Sequence, residues 1–284
     1  MKKAITRFIS ASLLAPLCLS SAGCRARESY EAPPDIPDID EVRGNIRYIV
    51  HAAGRLVGID SNGVERSFDG SNSAEGLSQC REAGANVIEL DFNFTSDGEL
   101  VCIHDWSPEY SEDITYGVPL TLDEYLDARI FWNYTPVWIG DVVDYLSEND
   151  GTYIVTDIKD DNIAGLTAIA NFAPDMLDRF IPQIYSADEY DAVRELGFDY
   201  IIYTLYRLDW RDKTDWRALN RFAAGHPLVG FTFSYELCEV DGFVRGMERS
   251  GTPLFVHTVN DAEEQQKYFD MGISGVYTDI VPGA

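Results

Sequence analysis

Strand-like and helix-like segments alternate along most of this chain, and this alternation limits its possible folds more than any other feature. Short apolar runs rich in β-branched and aromatic residues recur, and helical patterns such as 162–172 and 261–271 lie between most of them. The predicted barrel strands span 47–51, 87–93, 153–157, 179–184, 199–203, 228–233, 253–258 and 274–278. Eight strands separated by helices predict an α/β protein with the (β/α)8 TIM-barrel fold.

One further strand, predicted at 100–105, follows the second barrel strand without an intervening helix. The residues between them, 96–99, are typical of a tight turn, and Gly98 can adopt the positive φ that such a turn needs. We therefore expect an extra antiparallel return strand, in a register that places Asp91 opposite His104.

The segment 106–150 separates the return strand from the third barrel strand and is predicted to be an insertion. Residues 120–130 within it have a helical pattern. An insertion on the catalytic side of a barrel either covers the site and selects part of the substrate, or forms an ordinary packed subdomain. The sequence leaves both interpretations open.

The N-terminal segment predicts export. Residues 1–23 combine a basic start with an apolar run that is too short and too polar at its end to span a membrane, which is typical of a signal peptide. Small residues directly before Cys24 resemble a bacterial lipobox and predict a lipid anchor on Cys24; an ordinary signal peptide cleaved nearby is the alternative. Residues 24–45, rich in proline and acid, are predicted to be a tether, and 46–284 the folded domain. The protein is then a membrane-anchored lipoprotein, or otherwise periplasmic or extracellular.

The formal net charge is −26 at pH 7. Such a chain binds nucleic acid poorly because phosphate backbones repel it, so no nucleic-acid partner is expected. A phosphorylated small-molecule substrate would need a metal ion or local cations to offset the negative charge of the protein.

Cys80, Cys102 and Cys238 are widely spaced in apolar surroundings, which predicts buried free thiols. The sequence identifies no protein partner.

Three carboxylates predict a metal site. Glu89 and Asp91 lie two apart in one strand and therefore share a face. Buried carboxylates without a cation are costly, and carboxylate oxygens suit Ca²⁺ or Mg²⁺. Asp157 ends the third barrel strand and is the third candidate ligand, while Lys159, two residues later, is predicted to meet a phosphate oxygen. A salt bridge to a core lysine or arginine is the alternative for the carboxylates.

Two of the four histidines end predicted strands near these carboxylates. A single strand histidine is usually structural, but His51 and His104 converging on one site favour a general acid and base. Which of them is the acid stays open. Tyr203 and Tyr206, near the end of the fifth strand, are either pocket walls or core aromatics.

The motifs together resemble the glycerophosphodiester phosphodiesterase family. The resemblance rests on His51…Gly54, Asn72-Ser73, Glu89-x-Asp91, Thr95-x-Asp97-Gly98, His104-Asp105, VHTVND at 256–261 and GVYTD at 275–279. It implies a TIM barrel, a calcium or magnesium ion, and hydrolysis of glycerophosphodiesters to glycerol 3-phosphate and an alcohol.

The chain departs from the family pattern at four positions. Ala52 stands where the family has a phosphate-gripping arginine, and Ser71 where it has glutamate. Asp157 replaces a glutamate, and His257 replaces a tryptophan. These changes predict a reshaped pocket around a retained set of carboxylates and histidines.

Two other functions remain open at this stage. The same barrel could be a phospholipase acting on phosphatidylinositol or another intact lipid. The missing arginine could also mark an inactive barrel that only binds phosphodiesters or glycans at the cell surface. Retention of both His51 and His104 favours an enzyme, because a binding module needs no proton-transfer pair.

Overall fold

The computed structural model describes residue 36 and residues 38–283; the predicted signal segment and Cys24 lie outside this part of the chain. The strands are β1 (Tyr48–Val50), β2 (Leu56–Ile59), β3 (Glu65–Phe68), β4 (Val87–Phe94), β5 (Leu100–Cys102), β6 (Tyr153–Ile158), β7 (Phe180–Ile184), β8 (Ile202–Thr204), β9 (Gly230–Ser234), β10 (Leu254–His257) and β11 (Gly275–Thr278). The α-helices are α1 (Ile39–Asn45), α2 (Ala74–Ala83), α3 (Leu122–Asp127), α4 (Ile139–Glu148), α5 (Asn162–Phe172), α6 (Glu189–Glu195), α7 (Trp210–Thr214), α8 (Trp216–Gly225), α9 (Phe243–Met247) and α10 (Ala262–Asp270).

Eight parallel strands form a closed barrel in the order β1, β4, β6, β7, β8, β9, β10 and β11, and β11 pairs again with β1. The predicted TIM barrel is therefore confirmed. The outer core lies between these strands and the surrounding helices, where Cys80, Cys102 and Cys238 are buried free thiols, as predicted. No helix within 38–283 has the length and apolar character needed to cross a membrane.

Helix α1 closes the N-terminal end of the barrel. Ile39 and Val42 on α1 are buried in one cluster with side chains from the barrel interior, such as Val155 and Phe255. Arg43 adds a hydrogen bond from its Nε to the carbonyl oxygen of Leu228 (2.9 Å). Residues 39–45 lie in the predicted tether but form this packed helix, so the folded domain begins before residue 46.

The return strand exists, but its predicted register is wrong by one residue. Strand β5 pairs Cys102 with Phe92, whereas the register that places Asp91 opposite His104 would pair Cys102 with Asn93. The cause is a three-residue loop: the Thr95 backbone N–H donates to Glu99 O (2.9 Å), and Gly98 adopts φ +90°. Because β5 ends at Cys102, His104 is not paired opposite Asp91.

Only part of 106–150 is an insertion. Helix α4 packs in the outer core through Val142 and Leu146, so it is the ordinary helix between two barrel strands. The preceding residues form a small separate core around Trp106 and Tyr125. The β2–β3 hairpin was not predicted, and it joins this core through stacking of Phe68 on Phe131 (4.9 Å between ring centroids). The region before α4 therefore has a packed core of its own, and its role in covering the site or selecting the substrate stays a prediction.

Candidate active site

Strands β4 and β6 bring the three predicted carboxylates together. Asp91 pairs directly with Asp157 in the parallel register, and Glu89 lies two residues before Asp91 on the same face of β4. One oxygen from each of Glu89, Asp91 and Asp157 lies within 4.8 Å of the others. The spacing of residues on two neighbouring strands thus creates a buried acidic cluster at the carboxyl end of the barrel.

Lys159 lies between two of these carboxylates. Its Nζ is 2.6 Å from Asp91 Oδ1 and 2.9 Å from Asp157 Oδ2. Burial would raise the pKa of Asp91, but the charge of Lys159, followed by those of His51 and His104, outweighs burial and lowers it. Glu89 contacts no lysine among the described residues, and burial together with the charge of Asp91 raises its pKa to about 8.

Asn72 fixes Asp91 from the other side. Its Nδ2 donates to Asp91 Oδ2 (2.8 Å), and its Oδ1 accepts from the Asp91 backbone N–H (3.0 Å). Asn72 adopts φ +47°, a left-handed conformation that asparagine tolerates better than most residues. In the sequence, Asn72 stands out only as part of a motif, and its role as a support for Asp91 was not predicted.

His51 lies directly after β1 and is held by a carboxylate. Its Nδ1 is 2.7 Å from Asp279 Oδ1, and its Nε2 is 4.0 Å from Glu89 Oε2. Asp279 is fixed in turn by Asn260, whose Nδ2 donates to Asp279 Oδ2 (2.6 Å). Burial would lower the pKa of His51, but the Asp279 hydrogen bond and the charges of Glu89 and Asp91 raise it to about 9. Asp279 and Asn260, which belong to the two C-terminal motifs, therefore orient His51.

His104 occupies the rim instead of the cluster. About half of its side chain is exposed, and its Nδ1 is 2.9 Å from Asp105 Oδ2. Among the described residues, it forms no hydrogen bond to Glu89, Asp91 or Asp157. Its charge nevertheless contributes to the lowered pKa of Asp91. Of the six predicted site residues, five meet in one cluster and His104 stands beside it.

Two tyrosines hold Asp157, and one of them was not predicted. The Tyr185 hydroxyl donates to Asp157 Oδ1, and the Tyr206 hydroxyl lies 3.0 Å from the same atom. Tyr206 thus belongs to the site, in agreement with the pocket-wall interpretation. Tyr203 is instead a core aromatic, buried in the outer core. Tyr185 directly follows β7, and this position at the end of a barrel strand is the signal that could have identified it.

The donor set fits a hard divalent cation. Glu89 Oε1 is buried and has no hydrogen-bond partner among the described residues, and an unpaired carboxylate oxygen in that position is costly. Lys159 pairs with Asp91 and Asp157, and Arg207 Nη2 lies 3.9 Å from Asp157 Oδ1, so neither of these cations pairs with Glu89. Oxygen ligands at this spacing are those that calcium and magnesium prefer. The acidic cluster can therefore bind a metal ion.

The buried carboxylates, the lysine and the histidine–aspartate pairs lie at the carboxyl ends of the strands, where enzymes with the TIM-barrel fold have their active sites. A comparison with protein-family models matches residues 62–116 to the Glycerophosphoryl diester phosphodiesterase family. The resemblance seen in the sequence motifs is thereby confirmed, and with it the enzyme class, a phosphoric diester hydrolase. No curated protein sequence matches the chain.

Solved structures agree on the fold. A Silicibacter pomeroyi protein, provisionally assigned as a glycerophosphoryl diester phosphodiesterase, has 16% identity and a TM-score of 0.66 over 86% of this chain and 94% of its own. A Thermotoga maritima glycerophosphodiester phosphodiesterase has 21% identity and a TM-score of 0.60 over 74% and 89%. An Oleispira antarctica phosphodiesterase, in complex with the product sn-glycerol-3-phosphate, has 14% identity and a TM-score of 0.63 over 84% and 94%.

Proposed function

We propose that this protein is a metal-dependent enzyme that hydrolyses glycerophosphodiesters to glycerol 3-phosphate and an alcohol. The observation that carries the proposal is the buried cluster of Glu89, Asp91 and Asp157, flanked by His51 and Lys159. The family match and the product named for the Oleispira structure support the substrate class. The three carboxylates would hold Ca²⁺ or Mg²⁺, which, when bound, polarises a phosphoryl oxygen and offsets its charge.

The chain's own residues supply positioning and proton transfer. Each histidine presents Nδ1 to a carboxylate, His51 to Asp279 and His104 to Asp105. This leaves the Nε2 atom of each ring for exchange of a proton with the nucleophile or the leaving oxygen, since the aspartate fixes the orientation of the imidazole. Lys159 pairs with Asp91 and Asp157, so it lies beside the proposed metal site. In the proposed mechanism its ammonium group contacts a non-bridging phosphate oxygen.

The decisive experiment is a hydrolysis screen of glycerophosphodiesters after exhaustive chelation and again after addition of calcium or magnesium. We expect no measurable turnover without metal and recovery with one of the two ions. Intact phosphatidylinositol serves as the comparison substrate, because it is the substrate of the competing phospholipase function. Full turnover after chelation would contradict metal dependence, and absence of turnover under all conditions would favour a binding protein.

We also propose that the protein is exported and anchored to a bacterial membrane through a lipid on Cys24. The support is the apolar N-terminal run followed by small residues before this cysteine. Cys24→Ser should move the protein from the membrane fraction to the soluble fraction without changing its activity. An unmodified wild-type N-terminus that begins after Cys24, found by mass spectrometry, would contradict the anchor.

A further inference from the structure

Arg207, in the segment between β8 and α7, packs against the two tyrosines that hold Asp157. Its guanidinium carbon is 3.4 Å from the centre of the Tyr185 ring, and its Nε donates to the Tyr206 hydroxyl oxygen (3.2 Å). Its Nη2 donates to the carbonyl oxygen of Ile158 (2.8 Å), the residue that follows Asp157 in β6. The function proposed above gives this arginine no role.

The arginine sets the direction of the hydrogen bond that Tyr206 makes. A phenol group can donate and accept, but it carries a single hydrogen, whereas a guanidinium group only donates. The Tyr206 oxygen therefore accepts from Arg207, and its own hydrogen is available to Asp157. That hydroxyl lies 3.0 Å from Asp157 Oδ1 and 3.3 Å from Oδ2.

Tyr185 is held by stacking instead. Its ring is buried under the guanidinium group and packs edge-on against the Tyr206 ring, with 5.7 Å between the ring centroids. Its hydroxyl can donate to Asp157 Oδ1 or to the carbonyl oxygen of Ile158, and the charged carboxylate is the stronger acceptor. The planar guanidinium of Arg207 stacks on one tyrosine while its edge donates to the other, a combination that lysine cannot provide.

The two oxygens of Asp157 therefore have different surroundings. Both tyrosine hydroxyls bind Oδ1, whereas Lys159 Nζ lies 2.9 Å from Oδ2. The same Nζ is 2.6 Å from Asp91 Oδ1, so Oδ2 lies on the side of Asp91. In the proposed mechanism Lys159 binds the phosphate. The hydrogen bonds to Oδ1 do not depend on the lysine, so they can keep Asp157 in place.

We propose that Arg207 is a positioning residue for the metal site. It holds Tyr185 and Tyr206 so that their hydroxyls fix Asp157 through Oδ1 and leave Oδ2 on the side of the other carboxylates. The inference rests on the proposed function, since it assigns Asp157 to the metal. Arg207 itself acts through the tyrosines and needs no contact with the ion.

Calorimetric titration with calcium or magnesium chloride tests this role without requiring turnover. Arg207→Met keeps a long side chain but removes the planar donor group, and it should weaken metal binding by about ten-fold. Arg207→Lys keeps the charge and should lose nearly as much, because the positioning depends on the guanidinium geometry. Wild-type affinity in Arg207→Lys would overturn the proposal in favour of a simple effect of charge. Should Arg207→Met fail to fold, Arg207→Lys alone carries this test.

Arg211→Met is the matched control, because Arg211 is exposed on α7 and forms no hydrogen bond to Asp157 or to the two tyrosines. It removes the same charge and should leave metal affinity unchanged. Equal losses in Arg211→Met and Arg207→Met would overturn the proposal, since they would trace the effect to net charge.

A double-mutant cycle tests whether Arg207 acts through Tyr206. Tyr206→Phe removes the hydroxyl and should itself weaken metal binding. In the combined variant the loss should be clearly smaller than the product of the two single losses, because both changes break the same chain of contacts. Independent, multiplying losses would contradict an action of Arg207 through this tyrosine, and melting temperatures close to that of the wild type exclude a general loss of structure.

The outcomes separate this inference from the proposed function. Wild-type protein that binds metal, with unchanged affinity in Arg207→Met, contradicts only the role of Arg207. Wild-type protein that binds neither ion contradicts metal dependence and this inference together. Variants that show the expected losses in a protein that hydrolyses no diester support the role of Arg207 and contradict only the enzymatic proposal.

Discussion

The two ends of the barrel are built from the same eight strands but have opposite chemistry. At the N-terminal end, α1 buries Ile39 and Val42 against apolar residues of the barrel interior. At the carboxyl end, the interior holds Glu89, Asp91 and Asp157, all nearly inaccessible to water. One end buries apolar area, which stabilises the fold, whereas the other buries charge, which costs stability unless a cation is bound.

This difference shows how the chain separates folding from chemistry. The apolar end needs no particular atom in a particular place, since any well-packed hydrophobic group contributes. The polar end depends on individual oxygen and nitrogen atoms that other residues hold in position. Substitutions at the polar end should therefore change function far more than stability, and those at the apolar end the reverse.

The largest expected effect is that of His51→Ala on turnover. General acid–base groups contribute about 10²- to 10⁴-fold, so we expect a loss in that range, while the melting temperature stays close to that of the wild type. The measurement is kcat for a glycerophosphodiester. His226→Ala is the control, because His226 stacks on Phe222 in the outer layer and is not part of the site. A loss smaller than about ten-fold would remove His51 from a proton-transfer role.

Ile39→Ala should give the opposite result at the apolar end. Truncation of a buried isoleucine leaves a cavity and should lower the free energy of unfolding by about 2–4 kcal/mol, with kcat unchanged. Urea unfolding measures the stability. Leu126→Ala, at a more exposed position on α3, should cost less than about 0.5 kcal/mol. Loss of kcat in Ile39→Ala would show that the two ends are coupled.

The smallest effect concerns a residue that only supports the site. Asn72→Gly removes both hydrogen bonds to Asp91 but keeps a residue that adopts φ +47° without strain. Loss of such a supporting contact typically weakens metal binding by about 10- to 100-fold. Calorimetric titration with calcium or magnesium measures the change, with Asn62→Gly on the β2–β3 turn as control. Unchanged metal affinity would mean that Asp91 is positioned by Lys159 alone.

The sequence by itself determined the fold class and most of the candidate ligands. Strand and helix periodicities are local patterns, so helix α5 occurs at the predicted 162–172. The two-residue spacing of Glu89 and Asp91 fixed their common face before any tertiary contact was known. The position of Asp157 at the end of the next parallel strand placed it beside them, since the carboxyl ends of barrel strands meet at one face.

Only the tertiary structure decided how these residues are held. Asp279 and His51 are in contact although 228 residues separate them in the sequence, so no local sequence pattern could predict this pair. The register of β5 depends on whether the turn before it has two or three residues. The same stretch of sequence is compatible with either turn, so only the structure decided between them. The position of α1 across the end of the barrel could not be predicted either. Its few apolar residues are buried only because the barrel provides an apolar surface for them to pack against.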